Sequence, residues 1–313
     1  MKRIQNVVAE SRRTLPITVG YGVLVWLLAG LLKEHWWIQF ACFAVSMWLM
    51  MELNNQNLLI RIYSRTVSSS YIVFTCIAVF LFPSVHSAIL QLLAITSLFL
   101  LFKTYQDKTS AGKIFYTFMC IGLSSLVDVQ VFYYLPVYWL IMGMTVYSLG
   151  WRTFFASLFG LITPYWFSLA WYVYKDAGDI TPWIGHFSTL GSLQFPIAYS
   201  ALTLQQLLLL GFLMAMFILG AIHFVMTSYK DKIRVRQIYY SFILMTIYSY
   251  VLIAFQPTLY NMVIHMIIIT TSPMIAHFIS LTNSRLTNIL FFVLVGVALF
   301  LTAMNLWISS YPS

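Results

Sequence analysis

Charge is scarce in this sequence. Of its 313 residues, 8% are Asp, Glu, Lys or Arg and 61% are hydrophobic, whereas a soluble domain carries about 25% charged residues. Acidic residues are the scarcer sign, with eight in all against seventeen Lys and Arg. Mean hydropathy is +0.86. No water-soluble fold could cover so much apolar surface, so the sequence predicts a chain solvated by lipid. The signatures of familiar chemistry are missing as well. There is no Gly-rich phosphate loop, HExxH, Ser-nucleophile elbow or CxxC, no Arg-rich voltage-sensor helix and no filter-like segment. These absences argue against a pump or a cofactor enzyme, and no cofactor is expected. Cys42, Cys76 and Cys120 lie in apolar runs without metal-ligand or redox spacing, and read as core residues. No metal is expected. Haem would want paired intramembrane histidines, and the sequence places His223, His265 and His277 at different depths.

What the chain does have is apolar length and aromatic rings. The rings make up 18% of residues, with 20 Tyr and 10 Trp, residues that favour membrane–water interfaces. Apolar runs cover 16–32, 36–53, 68–83, 85–102, 114–128, 131–149, 153–174, 201–227, 237–255, 257–281 and 286–308. The expectation is all-α, a polytopic transmembrane helical bundle of about eleven spans. It forms a single integral membrane domain over 1–313, without linker, repeat or soluble domain. The start, "MKRIQNVVAESRRTLP", lacks an apolar core with a cleavage site, so 1–15 reads as a retained cytoplasmic leader.

Charge orients this arrangement. With the N-terminus cytoplasmic and the spans alternating, the inner segments hold fifteen of the seventeen Lys and Arg residues, and the outer segments hold Lys33 and Lys175. The net charge of +9 is thereby explained as an orientation signal, and nucleic-acid binding is not needed.

Two polar constellations could carry chemistry. At the outer face fall Glu34, His35, His86, Asp128, Gln130, Asp176, Asp179 and His186, with Asn261 and His265 entering the tenth span from that side. Carboxylates beside imidazoles suit general acid–base work. Glu34 and Asp128, on tight turns, are the candidate catalytic residues, although a wet loop would carry the same residues. His265 is a candidate substrate contact facing the bundle interior, or an interhelical hydrogen-bonding histidine. At the inner face, "MELNNQNLLIRIYSR" places Arg61 and Arg65 four apart on one helical face, suited to a phosphate-bearing headgroup, and Arg152 starts the seventh span on the same side. Positive-inside anchoring accounts for them equally well. The longest outer loop, 175–200, reads as an interfacial or re-entrant segment.

Three stretches carry a resemblance. They are "FLFPSVHSAILQLLAITSLFLLFK" (80–103), "IFYTFMCIGLSSLVDVQVFYYLPVYWLI" (114–141) and "WRTFFASLFGLITPYWF" (151–167), the last with Arg-x7-Gly-x3-Pro. Together they resemble an uncharacterised family of multi-pass inner-membrane proteins from Bacteroidota, over roughly 50–170. A more distant likeness is to GT-C-type glycosyltransferases, which use polyprenyl-phosphate sugars. Glu34 occupies the place of their essential acid, on a first outer loop reduced here to "KEHW". The Bacteroidota family has no established activity to carry over, and the function expected for the chain is that of a cell-envelope assembly component of the bacterial inner membrane, handling a lipid-linked or lipid-like substrate with a glycosyltransferase-like core. A transporter or flippase, and a non-catalytic membrane subunit of a larger complex, stay open. The partners expected are membrane lipids, a lipid-linked substrate and a membrane protein.

Overall fold

The computed structural model describes residues 3–175, 181–191, 199 and 202–310. Thirteen α-helices lie among them. They are α1 (Ile4–Glu10), α2 (Thr14–Ala29), α3 (Trp37–Asn57), α4 (Thr66–Ile77), α5 (Val85–Phe102), α6 (Ala111–Val127), α7 (Leu135–Met144), α8 (Trp151–Lys175), α9 (Thr181–His186), α10 (Leu204–Thr227), α11 (Ile233–Phe255), α12 (Tyr260–Leu281) and α13 (Arg285–Ser310). Strands are absent from the described residues. Local signals place the helix ends. Ser84 accepts from the Ser87 amide at the start of α5. Thr203 and Gln206 form a reciprocal capping box at the start of α10. Gly30, at φ 110°, closes α2 in a left-handed conformation that a side chain would resist.

Six helical segments are long and apolar enough to cross a membrane: Val85–Phe102, Trp151–Lys175, Leu204–Lys230, Ile233–Phe255, Pro257–Leu281 and Arg285–Ile308. These are the helices of a membrane protein. A helix overlies each of the eleven apolar runs, but several are short. Helix α4 has 12 residues, a rise of about 18 Å at 1.5 Å per residue, against a hydrocarbon core of about 30 Å. It tolerates this because nearly all of its residues are buried by other helices.

Helix α12 is the axis of the bundle. It is buried along almost its whole length and packs against α4, α5, α10 and α11. Helices α8 and α13 lie outside, with Phe159, Phe167, Leu286 and Phe300 exposed, the side chains expected to meet lipid. Helices α6 and α8 approach closely because two glycines face their crossing. A methyl group at Gly122 would stand 2.7 Å from the Leu161 carbonyl oxygen, and one at Gly160 would overlap the Phe115 carbonyl. Both glycines belong to the motif stretches at 114–141 and 151–167.

The basic loops converge on one end of the bundle. Arg61, after α3, reaches Asp231, after α10. Arg234 donates to Asn57 at the end of α3 and to the Phe102 carbonyl at the end of α5. Helix α1 closes the same end. Gln5 Nε2 donates to the Ile279 carbonyl and to Thr282 Oγ1, each at 2.7 Å, and Asn6 Nδ2 donates to the Thr282 carbonyl at 2.9 Å. The segment read as a leader is thus a helix built into the bundle, because its amides find the open carbonyls at the end of α12. In the longest loop, residues 181–191 pack back on the bundle. Trp183 Nε1 donates to Ser168 Oγ, and His186 Nε2 lies 2.8 Å from the Ser125 carbonyl.

Candidate functional site around the buried central helix

The two candidate carboxylates sit on turns. Glu34 is half-exposed and lies 3.6 Å from Lys33 Nζ. Asp128 ends α6 and caps the 3-10 turn Val129–Tyr134, its Oδ1 accepting from the Gln130 amide at 3.0 Å. Asp128 therefore has a local structural task, whereas Glu34 faces solvent beside Lys33. Asp176 and Asp179, expected in the same outer set, lie outside the described residues.

The inner arginines need a correction. Residues 58–65 are not helical, so Arg61 and Arg65 do not share a helical face. The chain leaves α3 at Leu58 in a left-handed conformation, and the two side chains part. Arg61 turns to Asp231. Arg65 stays at the surface, donating to Asn55 Oδ1 and Tyr63 OH with its guanidinium 5.4 Å from the Tyr63 ring. Arg152 is exposed in the first turn of α8.

The structure assembles a cluster that the sequence reading does not single out. Arg61 Nε stands 2.9 Å from Asp231 Oδ1. The N–H is not aimed at that oxygen, so the contact is an ion pair, not a directed hydrogen bond. His277 Nε2 lies 3.2 Å from Asp231 Oδ2, and His277 Nδ1 lies 3.3 Å from His223 Nδ1. One tautomer assignment satisfies the chain: His277 donates through Nε2 to the carboxylate and accepts at Nδ1 from His223. Tyr239 and Phe224 pack edge-on against His277. The Asp231 carboxylate is 0% exposed, so its charge rests on Arg61 and the imidazole. His223 and His277 are therefore not at different depths. Helices α10 and α12 run the same way, and each histidine lies about a turn from the basic end. The available sequence signal was a lone acid, Asp231, among Lys230, Lys232, Arg234 and Arg236. Among the described residues, no group of three or more His, Cys, Asp and Glu is disposed to hold a metal ion.

His265 lies on the same helix, three turns nearer the opposite end. It faces the interior, 1% exposed, bordered by Tyr138 on one side and Trp26 on the other.

A different face of α12 borders a large void. A cavity of about 490 Å³ lies between α1, α2, α4, α10, α12 and α13. Val73, Phe212, Ile275 and Val295 contribute apolar walls, and no Asp, Glu, Lys or Arg borders it. Several of its hydroxyls are engaged within the wall: Thr18 Oγ1 donates to Ser69 Oγ at 3.1 Å, and Tyr21 pairs with Thr302 at 2.8 Å. The surface presented to a ligand is mainly hydrocarbon, and the volume falls within the roughly 300–1,000 Å³ of small-molecule sites. At the basic end the lining residue Ser11 is followed by exposed Arg12 and Arg13. Comparison of the chain with protein-family models, with curated proteins and with solved structures finds no match.

Proposed function

We propose that this chain is an integral protein of the bacterial inner membrane that binds a lipid or lipid-linked substrate of cell-envelope assembly, holding an acyl or prenyl chain in the cavity beside α12. The observation that carries this reading is the cavity itself, large, apolar and free of charged lining residues. A hydrocarbon chain is the ligand whose burial such a wall favours, at about 25 cal/mol per Å² of apolar surface. In this reading the chain crosses the bilayer eleven times, with the basic end in the cytoplasm, as the Lys and Arg bias supports. Arg65 and Arg152, exposed at that end, add positive charge where an anionic headgroup would lie. The resemblance of residues 50–170 to Bacteroidota inner-membrane proteins supports the location.

Native mass spectrometry of the gently extracted protein tests the proposal. The wild type should carry a lipid adduct, and Val295→Trp, which narrows the cavity, should carry less of it while remaining folded. A wild type without lipid, or a narrowed variant with undiminished adduct, removes the reading. A stoichiometric protein chain in place of lipid would make the protein a subunit of a larger complex instead.

A further inference from the structure

We propose that His265 is a hydrated proton-exchange site, its imidazole bridging two internal water sites near the end of the bundle that bears Pro83. The ring is almost wholly buried, and neither Nδ1 nor Nε2 has a partner among the described residues. A neutral imidazole always presents one donor and one acceptor, and a buried polar group left unpaired is strongly disfavoured. Each side of the ring offers space for a partner. One cavity, about 30 Å³, is bordered by Ser97, Ser124, Tyr134 and Tyr138. The other, about 20 Å³, is bordered by Trp26, Gln39, Thr75, Ser87 and Gln91.

Space and chemistry both select water. One water needs about 10–15 Å³ of such volume and two to four polar neighbours. Both cavities meet that requirement, and neither admits a much larger ligand. The second cavity also answers another orphan, because Trp26 Nε1 is buried without a partner and lines the same space. A single water there can accept from Trp26 and bond to the imidazole. On the other side, the Ser97 and Tyr138 hydroxyls are 2.5 Å apart, and Tyr134 pairs with Ser249 at 2.8 Å. Their oxygens retain acceptor capacity for a water beside His265.

The second cavity also lies close to bulk solvent. Gln39 and Ser87 belong to the first turns of α3 and α5, and Gln39 Nε2 donates to the Pro83 carbonyl on the loop between α4 and α5. No Asp, Glu, Lys or Arg borders either cavity, and the titratable side chains facing His265 are Tyr134 and Tyr138. Water is thus the group placed to give a proton to the ring or take one from it. This inference stands apart from the lipid reading, since the two small cavities share no lining residue with the apolar one.

Two measurements on the full-length wild-type protein in nanodiscs test it. Exchange of the histidine Cε1 hydrogen in D₂O, followed by mass spectrometry, should proceed at His265 within about tenfold of exposed His35, with a sigmoidal pH dependence. Radiolytic hydroxyl labelling, which marks side chains beside bound water, should oxidise Met262 and Met266 at least about tenfold faster than the dry core residues Met142 and Met245. His265→Phe should bring Met262 and Met266 down to the core rate and leave exposed Met226 unchanged. Failure of His265 to exchange over days overturns the proposal, as does oxidation of Met262 and Met266 no faster than that of Met142.

Discussion

Arg61 and Asp231 meet at the basic end of the bundle, Nε to Oδ1 at 2.9 Å, with the arginine side chain 35% exposed and the carboxylate 0%. The pair ties the loop after α3 to the loop after α10. Its asymmetry sets what each substitution does.

Arg61→Ala leaves a buried carboxylate with His277 alone, and should destabilise the protein by about 1–3 kcal/mol. A fully buried pair would lose about 3–5, and partial solvent access to Arg61 lowers that figure. Asp231→Asn leaves no buried anion and should cost less. The double variant should be more stable than Arg61→Ala alone. Thermal unfolding of the three proteins in one detergent checks this order, and a double variant less stable than Arg61→Ala would refute it.

Asp128→Asn should keep wild-type stability, because the amide oxygen can still accept from the Gln130 amide. Asp128→Ala should lose about 0.5–2 kcal/mol with the cap. Stability is read by thermal unfolding, and function by complementation at equal membrane abundance. A stable Asn variant without cellular function would make the carboxylate itself the active group.

Gly160→Leu should force α6 from α8, because the first side-chain carbon already overlaps the Phe115 carbonyl. Overpacking of this kind costs about 1–3 kcal/mol or more. Gly112→Ala, where the space is open, should be close to neutral and serves as the control. Equal melting temperatures for the two variants would contradict the close crossing.

Single cysteines report the orientation. Cysteines at 106, 150 and 232 should react with a membrane-impermeant thiol reagent only after the inner face is exposed, and those at 180 and 313 in intact spheroplasts. Labelling of 313 only from the inner face would contradict an odd number of crossings.

Much of the architecture was legible in the chain. Helical character follows from runs too long and too apolar for anything else in lipid, where every backbone amide must be paired within its own segment. The convergence of the basic loops was legible for a similar reason, since the alternation of spans puts every second loop at the same end. The cap that Asp128 forms is a local feature, because its partner, the Gln130 amide, is only two residues away. The helix placed through Arg61 and Arg65 was misread. The chain leaves the helix at Leu58, and Arg61 pairs with Asp231, which is distant in sequence.

Composition and periodicity determined that this protein is helical, apolar on nearly every face and polarised in charge from end to end, because those properties act residue by residue against the solvent. Tertiary structure alone decided which apolar faces meet each other and which leave a gap. It made α12 the axis, brought His223, His277, Asp231 and Arg61 from three helical hairpins into one cluster, left His265 between two small cavities, and opened the space beside Ile275 and Val295. Apart from the lone acid Asp231 among basic residues, none of these has a local signal. Each depends on how far apart helices settle, and that distance is set by the volumes of side chains distant in sequence, down to a single hydrogen atom at Gly122 and Gly160.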